Sequence, residues 1–190
     1  LVGTLPPELT FDTGTGVVGV LPGTSAGPYN FDYEVCEIAN PTNCDTATVT
    51  VTVGAPDIVA TDDNYGPVNG FDGDANVGVV GDNDSLNGDP IVLSEVELSL
   101  VGALPPELTF DISTGVVGVL PGTPAGPYSF DYELCEVANP TNCDTATVTV
   151  IVGAPDILAT DDNYGPVNGF DGDTNVGLVG SNDTLNGDPV

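Results

Sequence analysis

The side chains with chemistry to offer are almost all acids. Asp62 and Asp63, Asp72 and Asp74, and Asp82 and Asp84 stand close together, interleaved with Asn64, Asn76 and Asn83. Calcium takes six to eight hard oxygen ligands of this kind. Asp57 lies just upstream, and the pattern returns further along the chain. The candidate calcium ligands are therefore Asp57, Asp62, Asp63, Asp72 and Asp74, with Asp156, Asp161, Asp162, Asp171 and Asp173. The spacing Asp72, Asp74, Asn76 imitates the opening of an EF-hand loop. Val77 stands where that loop needs its sharp-turn Gly, however, and no Glu closes it, so this is not an EF-hand. The same Asp and Asn side chains also suit Asx-turns in solvated loops, and the sequence leaves both readings open.

Two cysteines occur in each half of the chain, Cys36 with Cys44 and Cys135 with Cys143. A metal site would want further His or Cys ligands, which are missing, and the CxxC redox spacing is absent. A structural disulfide within each pair is the expectation, and it implies an oxidising compartment. If Cys36 lies opposite Cys44 in an antiparallel hairpin, Tyr33 faces Ala47, Phe31 faces Val49 and Tyr29 faces Val51. Every inward residue then meets an inward residue, while Glu34 meets Thr46 and Asp32 meets Thr48 on the outer face. The bond would staple the exposed hairpin end rather than cross a core.

Composition removes whole classes of function. The chain has 190 residues, 29 acids and no Lys, Arg or His, giving a formal charge of -29. Without a basic surface it lacks the electrostatic attraction that dominates binding to nucleic acid and to anionic lipid. The usual general base, the Schiff-base lysine and the phosphate-clamping arginine are missing too. Paired carboxylates such as Asp62 and Asp63 could act as acid and base on a glycoside. With six Phe, six Tyr and no Trp, though, no aromatic-lined cleft is indicated, and we expect no enzyme. Apolar residues at 40% place the chain among folding sequences. No run approaches the roughly 18 apolar residues of a membrane span, so no direct membrane insertion is expected.

An internal repeat organises these residues. Residues 1–91 align without a gap on residues 100–190, an offset of 99, and differ at 14 of 91 positions. A period this long means tandem domains rather than solenoid coils. Gly54-Ala55-Pro56 and Gly153-Ala154-Pro155 each follow a long alternating strand and supply linker residues. The predicted boundaries make residues 1–54 the C-terminal part of one repeat, 55–153 a complete repeat and 154–190 the N-terminal part of the next. The chain reads as a piece of a longer array. In residues 46–53, Thr and Val alternate, with one Ala among the Thr positions' partners, which predicts a half-buried antiparallel strand. Residues 29–35 alternate aromatics inward and polar side chains outward.

Leu104-Pro105-Pro106-Glu107-Leu108-Thr109-Phe110-Asp111, then Ser113-Thr114-Gly115-Val116, then Ala125-Gly126-Pro127-Tyr128-Ser129-Phe130 resembles the immunoglobulin-like modules of bacterial surface proteins. Glu8 and Glu107 replace a Gly usual in that pattern, and Val20-Leu21-Pro22 departs from its small-residue turn. Residues 131–150, 159–169 and 182–189 resemble the tandem arrays of giant Bacteroidota surface proteins, among them gliding-motility adhesins of the SprB type exported by type IX secretion. The resemblance covers the whole repeat. It implies an extracellular location at the surface of a Gram-negative bacterium. It also implies an O-glycosylation signal of the form Asp-Ser/Thr-aliphatic, matched at Thr46, Ser85, Thr145 and Thr184.

The expected fold is all-β: tandem immunoglobulin-like or cadherin-like sandwiches of about 99 residues and seven or eight strands each. The expected function is a stalk or filament repeat of a cell-surface adhesin. Its partners would be neighbouring repeats, with surface polysaccharide or substratum reached through other domains, and calcium is the one cofactor to consider. The alternative is a calcium-dependent, lectin-like glycan-binding module in each repeat.

Overall fold

The computed structural model describes residues 1–190, and every regular element is a strand. The first is a short hairpin of β1 (Leu9–Phe11) and β2 (Val18–Val20), with Leu9 opposite Val20. Its turn is built by Asp12, whose carboxylate accepts from the Gly14 N–H at 2.8 Å and the Thr15 hydroxyl at 2.8 Å. Gly16 then takes a φ of 76°, which a side chain would resist.

β3 (Gly27–Cys36) and β4 (Cys44–Val53) form the long antiparallel ribbon. Its register pairs Tyr33 with Ala47, Phe31 with Val49 and Cys36 with Cys44, as the cysteine spacing predicts. The structure joins Cys36 to Cys44 and Cys135 to Cys143, both on hairpin ends.

Ten strands follow in residues 55–153. They are β5 (Ile58–Val59), β6 (Asp63–Asn69), β7 (Asp74–Val79), β8 (Ser85–Leu86), β9 (Asp89–Pro90), β10 (Val96–Val101), β11 (Leu108–Asp111), β12 (Val116–Val119), β13 (Gly126–Glu136) and β14 (Cys143–Gly153). Seven of them make two principal sheets, ordered β10-β13-β14-β6 and β11-β12-β7. The remaining three are two-residue strands in a small sheet, β5-β8-β9. The last residues hold β15 (Ile157–Leu158), β16 (Thr184–Leu185) and β17 (Asp188–Pro189).

Residue contacts gather the chain into two compact units. The first comprises Leu1–Thr61, Gly81–Ser99 and Tyr132–Ala146. Its buried apolar residues are Leu9, Phe31, Val96, Leu98, Tyr132, Leu134 and Ala146. The second comprises Asp62–Val80, Leu100–Asp131 and Thr147–Val190. Within it Phe110 of β11 and Phe130 of β13 meet with ring centroids 4.9 Å apart, which sets the two principal sheets face to face as a β-sandwich. Val117, Val119, Val148, Val150 and Val152 fill the space between them. Their alternation with Thr and Gly puts one apolar row inward on each strand.

One pairing lies outside the sequence-level expectation. β14 is antiparallel to β13 but also parallel to β6, with Val148 opposite Asp63 and Val150 opposite Tyr65. β7 in turn pairs antiparallel with β12, with Val116 opposite Val79. These two pairings fasten residues 63–79 to both sheets.

Candidate functional site

The acids named from sequence serve mostly as hydrogen-bond acceptors within their own turns, and Asp62 and Asp84 reach across to distant segments. Asp84 is buried and accepts from the Thr61 N–H at 2.7 Å and from the Tyr132 hydroxyl at 2.8 Å. Burial pushes its carboxyl above the usual value, against the pull of those two hydrogen bonds, and the like charge of Asp144 adds to the rise. Nearby, Asn83 donates to the Thr61 carbonyl at 3.2 Å and the Ala60 N–H donates to Asp144 at 3.0 Å. The 60–61 loop is thereby tied to the 81–84 turn and to β13 and β14.

The candidate calcium ligands are distributed as follows. Asp62 accepts from the Thr147 N–H at 2.9 Å, and buried Asp63 accepts from the Tyr65 hydroxyl at 3.0 Å. Asp74 closes an Asx-turn on the Asn76 N–H at 2.9 Å, and Asp173 does the same with Asn175. Asp72 accepts from the amides of Asn69 and Asn186 at 3.2 and 3.0 Å. Asp171 accepts from Asn168, and Asp162 is bonded to the Tyr164 hydroxyl. Asp57 and Asp156 contribute backbone carbonyls to Asn87 and Asn186, and the Asp161 carbonyl accepts from Asn182. The groups of three potential metal-binding side chains within 4.8 Å are Glu34 with Cys36 and Cys44, and Glu133 with Cys135 and Cys143. In both, the sulfurs are already bonded to each other. None of the ten candidate aspartates belongs to either group.

The O-glycosylation signals fall on strands. Thr46 and Thr145 are exposed, whereas Ser85 and Thr184 are half-buried.

A polar anchor at the end of the β13–β14 ribbon escaped the sequence reading. Buried Glu136 accepts from the Asn142 amide at 3.0 Å, and that amide also donates to the Pro56 carbonyl at 2.8 Å. Buried Asn139 accepts from the Ala26 N–H at 2.5 Å, and the Val137 N–H donates to the Glu95 carbonyl at 2.9 Å. The ribbon tip therefore holds both the Gly54-Ala55-Pro56 linker and the 24–26 loop. The available signal was the identity of residues 39–43 and 138–142 in the two copies, longer than a disulfide alone requires.

A groove of about 870 Å³ beside this anchor is lined by the linker residues with Leu86, Pro90, Val92 and Val137 among others. A second, of about 570 Å³, is lined by Phe11, Val18, Tyr33, Val35 and Val49 of the first copy.

No family model and no curated protein matches the chain. Among solved structures it is similar to the human desmocollin-1 ectodomain, with a TM-score of 0.41 and 11% identity over 77% of this chain and 30% of that one. It is also similar to Drosophila N-cadherin EC1-4, with a TM-score of 0.39 and 16% identity over 80% and 39%. A third likeness is to a SusE-like, surface-located polysaccharide-binding protein of Bacteroides thetaiotaomicron, with a TM-score of 0.35 and 20% identity over 85% and 25%. The chain thus spans well under half the length of each. Likenesses at these TM-scores carry no ligand, partner or activity over to this chain.

Proposed function

We propose that the chain is a segment of a tandem-repeat stalk or filament on an extracellular bacterial adhesin, with 55–153 as its repeating domain. The observation that carries this reading is the near-identity of the copies, 14 differences in 91 positions, combined with a disulfide in each. Near-identical copies add length, whereas a recognition site calls for a distinctive copy. Disulfides persist in oxidising, extracellular settings. The Asn142–Pro56 and Asn139–Ala26 bonds support a further feature, a linker and the 24–26 loop of the preceding copy held by the repeat that follows them. The partners in this reading are neighbouring repeats, and the surface or polysaccharide target is met by other domains.

The test removes whole 99-residue units from the parent adhesin. Reach, measured by electron microscopy, should fall by a constant increment per unit, while affinity for the target stays unchanged. Affinity falling in proportion to the units removed would overturn the stalk reading in favour of a glycan-binding module in every repeat.

A further inference from the structure

The chain passes from one repeat to the next after Gly54 and again after Gly153, and at each passage an asparagine of the later repeat binds the earlier one. After Gly153 that residue is Asn186, at the tip of the β16–β17 hairpin. Asn186 and Gly187 take φ values of 55° and 84°, the left-handed pair that an Asn-Gly turn supplies. The Asn186 N–H donates to the Asp156 carbonyl at 2.7 Å. Its side-chain amide donates to Asp72 at 3.0 Å, and its side-chain oxygen accepts from the Asn69 amide at 2.6 Å. Asn69 also donates to Asp72 at 3.2 Å, which closes a ring of three side chains drawn from two repeats. The Asn69 oxygen is held by the Phe71 N–H at 3.0 Å, so its NH₂ group is the part left to meet Asn186 and Asp72. After Gly54 the corresponding residue is Asn139, at the tip of the β13–β14 ribbon, which accepts from the Ala26 N–H.

The two places bound in this way are neighbours on one repeat. Residues 24–26 correspond to 123–125, and in the 55–153 repeat that loop abuts the 69–73 turn. The Gly122 N–H donates to the Phe71 carbonyl at 3.2 Å, and a Cβ on Gly70 would overlap the Thr123 carbonyl. The Gly70 N–H donates to the Gly153 carbonyl at 3.0 Å, which ties the same turn to the linker. Both halves of the Asn186 contact recur 99 residues away in the same local form. Asn168 accepts from the Phe170 N–H at 2.9 Å and donates to Asp171 at 2.6 Å. Asn87 holds a φ of 55°, with its N–H on the Asp57 carbonyl at 2.7 Å. Each half is thus shaped by its own repeat, which lowers the ordering cost of bringing the two together.

We propose, resting on the tandem-repeat reading above, that the abutting loops 69–73 and 123–125 form a docking surface for the next repeat of the array. That repeat binds it at two points, through the side-chain amide of its Asn-Gly turn and the side-chain amide of its ribbon tip. Charge explains the choice of residue. With 29 acids and no Lys, Arg or His, the chain has no side-chain cation to meet a carboxylate at a junction. A neutral amide gives Asp72 charge-assisted hydrogen bonds without bringing another charge out of water. An acid in its place would repel Asp72.

Nitrogen-15 NMR relaxation of the full chain tests the first point. The β15–β17 amides should be as rigid as those of β14, with order parameters near about 0.85. Asn186→Asp keeps the turn, which Asp-Gly also suits, but sets a second carboxylate against Asp72. The β15–β17 order parameters should then fall to about 0.6 or below. Adding Asp72→Asn reverses the polarity of the pair, because the amide then at position 72 can donate to the carboxylate at 186, and rigidity should return. Such rescue separates a direct contact from a change in the turn. At the second point, Asn139→Ala leaves the tip stapled by Cys135 and Cys143 and should speed hydrogen exchange of the Ala26 amide about tenfold, the worth of one hydrogen bond. Mobile β15–β17 amides in the wild type would overturn the proposal. So would Asn186→Asp leaving them rigid, a double variant as mobile as the single one, or an Ala26 amide that Asn139→Ala does not affect. None of these measurements reads reach or target affinity, so failure of the docking surface and failure of the stalk reading are told apart by the deletion of whole units.

Discussion

Asp84 shows how one carboxylate can be both necessary and unfavourable. Its oxygens satisfy the Thr61 N–H and the Tyr132 hydroxyl, yet burial raises its pKa. A raised pKa means that the folded state binds the proton more tightly than the unfolded chain does. Stability from this group is therefore greatest below the unfolded carboxylate value, about 4, falls as pH rises through the folded pKa, and stays low above it. Asp84→Asn keeps an oxygen for the Thr61 N–H and offers an N–H to the Tyr132 oxygen. That frees the phenol hydrogen for the Thr61 carbonyl, 3.4 Å away. We expect Asp84→Asn to raise the melting temperature at pH 7, with the gain shrinking towards pH 4. Asp84→Ala would take away the acceptor of the Thr61 N–H and leave the Tyr132 hydroxyl the longer contact to the Thr61 carbonyl, a loss of about 1 to 3 kcal/mol. Chemical denaturation of the three proteins at both pH values separates the charge from the hydrogen bonds.

The two most similar elements in sequence, residues 63–69 and 162–168, differ in structure because a strand is defined by its partner. Gly66 and Pro67 interrupt any alternation, and a Pro within a run argues against a strand. Nothing local announces β6; it exists because β14 lies alongside. By contrast, the β3–β4 register was legible in the sequence. Two cysteines eight residues apart fix it, and alternating Val and Thr agree with it. The same division holds at the candidate site. Asp74 and its Asx-turn are local and readable, whereas the bond of Asp62 to Thr147 spans 85 residues. Hydrogen exchange on dilute protein should find the Asp63–Asn69 amides protected and the identical amides of 162–168 exchanging much faster. Equal protection would contradict the partner-dependent account. The ribbon's staple is testable separately. Converting Cys135 and Cys143 together to Ser should cost about 2.5 kcal/mol by the loop-closure entropy of so short a ring. Urea unfolding measures it.

At the scale of the molecule, 29 acids meet no side-chain cation, so every long-range charge interaction is repulsive. Compaction brings these charges together, and self-repulsion disfavours the folded state at neutral pH. Acidification removes that repulsion, and there are no side-chain ion pairs for it to break. Two groups work the other way. Asp12 and Asp111 have lowered pKa values because Thr15 and Ser113 donate hydroxyl and backbone hydrogen bonds to their charged forms. Their contribution is present above the unfolded carboxylate value and is lost as pH falls through the lower folded values, below about 4. Relief of repulsion and the rise at Asp84 therefore act first on the way down from neutrality, and the loss of the two Asx-turns acts later. Stability should climb from pH 7 to a maximum near pH 4 to 5, more acidic than the usual range of roughly 5 to 8, and decline only below it. Sodium chloride at about 0.5 M, where the Debye length is well under 10 Å, should raise the melting temperature at pH 7 and do progressively less as the carboxylates protonate below about pH 4. Calorimetric scans across pH at two salt concentrations make the measurement, and a maximum at neutral pH that salt does not move would contradict a balance dominated by self-repulsion.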